Sequence, residues 1–79
     1  MRLKIRFFAS IKDKIGKEEL IIDREDEGIP LCKLVNDLRN KYPVIPENIL
    51  IAVNHEYRDP NYIVKDKDEI ALITPVSGG

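Results

Sequence analysis

Only one stretch of this 79-residue chain carries an apolar stripe at helical spacing over about three turns. Behind Pro30, which can occupy a first helical turn, Leu31, Leu34, Val35, Leu38 and Tyr42 recur on one side of a helix. The helix must stop before Pro43, because a proline disfavours helical geometry in the residue ahead of it, and Pro46 keeps the connection extended. Everything else of any length reads as strand. A chain with one helix between strand-period segments has few ways to hide its apolar faces, and the simplest lays the helix across one face of a sheet.

The strand segments lie on both sides of that helix. From Arg2 to Phe8 the chain alternates, with Leu3, Ile5 and Phe7 on one face and Arg2, Lys4 and Arg6 on the other. From Glu18 to Asp23, Leu20 and Ile22 point inward and Glu19, Ile21 and Asp23 outward, so an opening antiparallel hairpin is expected, with Glu19 and Asp23 opposite the basic stripe. Between them, "SIKDKIG" offers Ser10 as a cap and Gly16 as a stop for one helical turn within a loop. The acidic run "REDEG" reads as a solvated linker to the helix. After it, "ILIAV" is apolar enough for a strand inside the sheet covered on both faces or nearly so. "NHEYRDPN" reads as turn, "YIV" as a short edge strand, "KDKDE" as a turn and "EIALIT" as the last strand. Two strands, a helix and two or three more strands suit an α+β β-grasp, or ubiquitin-like, arrangement, in which one main helix covers a mixed four- to five-stranded sheet. Spacing alone also permits other small α+β topologies.

Composition removes several classes of function. Apolar residues at 43% and charged residues at 34% mark an ordinary globular chain. Thirteen basic against fourteen acidic residues leave a net charge of -1, so nothing electrostatic points to nucleic acid or an anionic membrane as partner. No apolar run approaches the roughly 20 residues of a spanning helix, and "MRLKIRFFAS" lacks the apolar core of a signal peptide, which makes a cytoplasmic protein the expectation. One cysteine, Cys32, and one histidine, His55, are too few for a zinc or iron-sulfur site. Cys32, within the helical run, is expected to be a packed, structural thiol. His55 falls in a turn, where a lone histidine is ordinarily solvated, and Lys33 with Asp37 and Asp37 with Lys41 read as surface pairs. Nothing assembles a nucleophile, a base and an orienting group, so the chain is not expected to be an enzyme by itself.

The chain closes on "ITPVSGG". A Gly-Gly end can be a frayed tail, an expression scar, or a carboxylate that must reach into a narrow slot. Taken with "FFASIKDKIG" near the start and "AVN" after the helix, "DEIALITPVSGG" resembles the small, sulfur-carrying subunits of molybdopterin synthase, and the resemblance spans essentially the whole chain. It implies a β-grasp domain over residues 1–74 and a flexible tail over residues 75–79. It also implies that the Gly79 carboxylate is adenylated by an E1-like adenylyltransferase that uses ATP, then converted to a thiocarboxylate. That sulfur goes to a pterin precursor to build the dithiolene of the molybdenum cofactor. The implied partners are the activating enzyme and a large catalytic subunit in a two-plus-two heterotetramer; no cofactor is implied to be bound and no metal held. Two departures stand out: Lys67 occupies a turn position where the family commonly has glycine, and Thr74 one where it often has proline. If the turn keeps its positive φ, Lys67 costs roughly 1 kcal/mol.

The residues of the tail have physical reasons for that role. Gly78 and Gly79 lack Cβ and can thread a slot closed to side chains. Pro75 ends ladder pairing, and Pro75, Val76, Ser77, Gly78 and Gly79 fully extended reach about 17 Å. Phe8 has the outward parity of Arg2, Lys4 and Arg6, while Ala71 and Ile73 have the parity opposite to Ile70 and Leu72. If the first and last strands are neighbours, Phe8, Ala71 and Ile73 form an apolar docking patch beside the tail. The alternative is that Phe8 tucks under the next loop and Ile73 packs at an edge. Three other functions start from the same features: a ubiquitin-like modifier joined through Gly79 to lysines, a sulfur carrier of thiamine biosynthesis, and an interaction module with an inert tail.

Overall fold

The computed structural model describes residues 1–75. In chain order its elements are β1 (Arg2–Phe7), α1 (Ala9–Ile15), β2 (Glu19–Asp23), β3 (Ile29–Pro30), α2 (Leu31–Lys41), β4 (Leu50–Val53), β5 (Glu56–Tyr57), β6 (Ile63–Val64) and β7 (Glu69–Ile73). Five of the strands form a mixed sheet in the order β2-β1-β7-β4-β5, and β3 and β6 form a separate two-stranded ribbon. The opening hairpin is antiparallel, with Leu3 opposite Ile22 and Ile5 opposite Leu20. β7 lies between β1 and β4, parallel to the first and antiparallel to the second. The alternation therefore survives into three dimensions: Leu3, Ile5, Phe7, Val53, Ile70 and Leu72 are all buried, in one cluster with Leu31, Leu34, Val35 and Leu38 of α2. Each such side chain contributes about 1.5–3 kcal/mol, which is what holds helix and sheet together.

Several local expectations need correction. The segment before Gly16 makes two turns instead of one, because Ile11 is fully buried and Ile15 packs against the core four residues on. Ser10 does not cap it; the Ile11 and Lys12 N–H groups donate to the Phe8 carbonyl at 3.2 and 3.3 Å, and Phe8 holds the N-cap position. Gly16 does stop the helix in the left-handed region, at φ 82°. Pro30 sits just ahead of the first turn of α2, where it also pairs with Ile63 in the small ribbon. Thus "YIV" supplies a strand, though to that ribbon and not to the main sheet.

The strand from "ILIAV" does lie inside the sheet, but its outer face is open at Leu50, which is 43% exposed. The turn that follows hides a strand. Asn54 and His55, at φ 51° and 70°, make a two-residue hairpin of the positive-φ kind that matches sheet twist, and it brings Tyr57 opposite Ala52. Cys32 is exposed, contrary to the packed thiol expected of it, because it falls one helical step away from Leu31 on the flank of the buried stripe. "REDEG" is less solvated than its charge suggests. The Arg24 guanidinium bonds Asp26 at 2.8 Å and Asp37 at 3.1 Å, so Asp37 pairs with the linker and not with Lys33 or Lys41.

Two polar features fix the end of the sheet from which β7 departs. Asp68, the buried charged residue among those described, accepts from the Lys65 N–H at 2.8 Å, the Asn54 side-chain amide at 2.9 Å and the Tyr62 hydroxyl at 3.4 Å. Lys67 has φ 70°, the geometry a glycine adopts freely.

Candidate functional site

The parallel pairing of β1 with β7 brings together the residues that parity had placed on the outer face. One row crosses all five strands in register: Glu19, Arg6, Ala71, Ala52 and Tyr57. The next row toward the exit of β7 includes Ile73 opposite Leu50, with Phe8 just beyond the last β1–β7 pair. Phe8, Ala71 and Ile73 line one shallow depression of about 250 Å³, whose floor includes Ala52 and whose far wall is Tyr57. Phe8 is 39% exposed, so it is not tucked beneath the following loop. Pro75 lies two residues past the end of β7 and is half-buried. Val76, Ser77, Gly78 and Gly79, the rest of the expected tail, lie outside the described residues.

The depression has a polar end. Glu69 receives Arg6 at 3.9 Å on one carboxylate oxygen and faces the exposed His55 at 3.6 Å on the other. The Asn54 hairpin fixes the backbone there, since the Asn54 N–H donates to the Glu69 carbonyl at 2.8 Å and the Glu69 N–H donates to Asn54 Oδ1 at 3.0 Å. Arg6 also lies over the Phe8 ring, 5.5 Å from its centroid. Such a contact is worth about 0.5–1 kcal/mol at an exposed site and limits where the ring can go. Further along the basic stripe, Arg2 bonds Asp23 at 3.0 Å and Lys4 approaches Glu19 at 4.0 Å, the cross-strand pairs expected. The hydrogen bond from Arg2 holds the Asp23 carboxyl below its ordinary range, with the guanidinium charge acting in the same direction.

Sequence reasoning found one side of this site and missed the other. Ala52 shares the outward parity of Leu50, which was legible in "ILIAV"; Tyr57 was hidden because a two-residue strand leaves no periodic signal. His55 is exposed in the turn expected of it, and that turn stands at the polar end of the depression. Among the described residues no group of three or more His, Cys, Asp or Glu side chains could hold a metal ion.

A mixed sheet ordered β2-β1-β7-β4-β5 with one main helix across its inner face defines a ubiquitin-like β-grasp protein. The chain belongs to the ThiS family, whose model matches residues 5–79. It is 40% identical to the molybdopterin synthase sulfur carrier subunit of Dictyostelium discoideum, across 99% of this chain and 96% of that one. A chain in the complex of subunits 1 and 2 of molybdopterin-converting factor from Helicobacter pylori is 32% identical, with a TM-score of 0.72 and full coverage of both chains. The small archaeal modifier protein 1 of Methanosarcina acetivorans is 26% identical, with a TM-score of 0.77 over 99% of this chain and 96% of that one.

Proposed function

We propose that this protein is the sulfur carrier subunit of a molybdopterin synthase. The observation that carries the reading is the 40% identity, over nearly the whole of both chains, to the Dictyostelium discoideum sulfur carrier subunit. The likeness to a chain of the Helicobacter pylori two-subunit complex supports a large-subunit partner. In this reading the catalytic groups lie on that larger partner, the assembly contains two copies of each subunit, and the work is done in the cytoplasm. Among the described residues no helix is long and apolar enough to cross a membrane.

The chemistry runs through the carboxylate of Gly79. An ionised carboxylate is a poor electrophile, so an E1-like adenylyltransferase joins it to AMP from ATP and releases pyrophosphate. A sulfur donor then attacks the acyl carbon and AMP leaves, which forms the thiocarboxylate. Its sulfur is nucleophilic and bonds to a carbon of the pterin precursor in place of an oxygen substituent; water then cleaves the acyl–sulfur bond and returns the Gly79 carboxylate, and two such deliveries complete a dithiolene. Phe8, Ala52, Ala71, Tyr57 and Ile73 dock the chain on each partner in turn, while Pro75, Val76 and Ser77 lead Gly78 and Gly79 into the partner's slot. The intact mass of the protein isolated from its own cells tests this. A gain equal to the difference between sulfur and oxygen, lost on alkaline hydrolysis, is expected.

One observation favours a second reading, conjugation of Gly79 to lysines of other proteins: the similarity to the Methanosarcina acetivorans modifier protein. Both routes begin with adenylation and differ in the acceptor. Unchanged mass, together with higher-mass species that join Gly79 to lysine, would replace the carrier by the modifier.

A further inference from the structure

The two strands at the middle of the outer face carry alanine where a sheet surface ordinarily carries something larger. Ala71 and Ala52 are directly opposed in register, and their methyl groups make a floor between an aromatic wall on each side, Phe8 and Tyr57. The resulting depression, about 250 Å³, falls short of the 300–1,000 Å³ typical of small-molecule sites. It is better matched to a single side chain. Its polar end, where Glu69 holds Arg6 at 3.9 Å and His55 at 3.6 Å, offers both donors and acceptors to a polar tip.

We infer that the Ala52–Ala71 floor is a socket for one aromatic side chain of the large subunit, which enters between Phe8 and Tyr57. The inference rests on the sulfur-carrier reading and adds the chemistry of the contact. An aromatic side chain suits the place because ring edges and faces meet favourably at the two walls, and because Tyr and Trp join an apolar body to a polar tip. Buried aromatic anchors in pockets also dominate binding at protein interfaces. The socket lies beside Ile73, two residues ahead of Pro75, so an anchor there sets where the tail departs.

The test titrates the full chain with the purified large subunit from the same organism, for wild type and for Ala71→Leu, which fills the socket from an outward position. Affinity falls at least about tenfold in Ala71→Leu, while Val44→Ala, at an exposed position in the loop after α2, stays within about twofold. Methyl NMR of the wild-type complex gives a second readout that needs no variant: the Ala52 and Ala71 signals move upfield, as methyls beneath a ring face do. If wild type binds and Ala71→Leu binds equally well, the socket is overturned and the carrier reading stands. Weakened binding without upfield shifts overturns the aromatic occupant. If wild type fails to bind at all, the carrier reading falls and the socket with it.

Discussion

Phe7 and Phe8 are neighbours in the chain and opposites in the molecule. The first is buried at 1% exposure beneath the helix and meets the Tyr42 ring edge-on, at 6.1 Å between centroids; the second lies on the outer face at 39% exposure with Arg6 laid across it. The same contrast runs along β7, where Ile70 and Leu72 are fully buried and Ala71 and Ile73 are not. A pleated strand sends alternate side chains to opposite faces, so one five-residue segment serves two selections at once. The inner set is matched to the volume left by α2, and the outer set is left unfilled. An apolar outer face that its own fold does not cover is what a carrier needs if it must be held by one partner and then released to another.

Substitutions at adjacent positions should break that contrast if it is wrong. Phe7→Ala is expected to cost about 3–5 kcal/mol of stability, the range for deleting a buried ring. Phe8→Ala should cost under about 1 kcal/mol, mainly the lost contact with Arg6, and should register in partner affinity. Denaturant unfolding of both variants decides the matter: equal losses would mean that Phe8 is packed like Phe7 and that the outer face is no free surface. The pair Asp68 and Glu69 repeats the comparison among charged residues. Asp68→Ala leaves the Lys65 N–H and the Asn54 amide without their acceptor, for about 1–3 kcal/mol. Glu69→Ala, on the outer face, should stay within about 0.5 kcal/mol in the same experiment.

The two faces also differ in how plainly the sequence announces them. Leu3, Ile5 and Phe7 and the helical stripe from Leu31 to Leu38 are readable because burial imposes a period, and the first and last strands meet as the resemblance implied. Phe8, Ala71 and Ile73 were found only as exceptions to that period. What carried no period was lost: the two residues of β5, inside the stretch read as turn, and the Arg24 clamp, whose partners Asp26 and Asp37 lie on different elements. Cys32 was misplaced for a related reason. A helical stripe says which residues face the core, but the flank of the stripe is set by how the sheet edge curves under it, and a small residue there satisfies either environment.

Lys67 sharpens the comparison at a smaller scale, since it is a surface residue whose cost lies in the backbone. At φ 70° a side chain crowds its own carbonyl, and glycine does not. Lys67→Gly should therefore raise stability by up to about 1 kcal/mol, reduced by the greater freedom glycine has when unfolded. A thermal midpoint that rises with partner affinity unchanged would place the strain in the turn alone. A fall would show that the Lys67 N–H bond to the Arg2 carbonyl, at 2.8 Å, needs the stiffer residue.

The smallest effect expected separates two ion pairs that look alike on paper. Asp26 is held below its ordinary value of 3.8 by hydrogen bonding to Arg24 and then by the charge of that guanidinium, and Asp23 is lowered in the same order by Arg2. A carboxyl with a lowered folded value binds its proton less readily when folded than when unfolded. Its contribution is thus complete above 3.8 and is lost as pH falls through the folded value. Arg24 is the less exposed cation, and it also reaches Asp37 on α2, so its pairing ties the linker to the helix, whereas the Arg2 pair joins only two strands that are already laddered. Screening by water weakens the exposed pair further. Arg24→Gln should therefore lower unfolding stability above 3.8 and converge with wild type in acid, and Arg2→Gln should do the same by less. Unfolding followed across that window checks both, and an Arg24→Gln difference that persists unchanged in acid would assign the role of Arg24 to packing of its stem instead of to its charge.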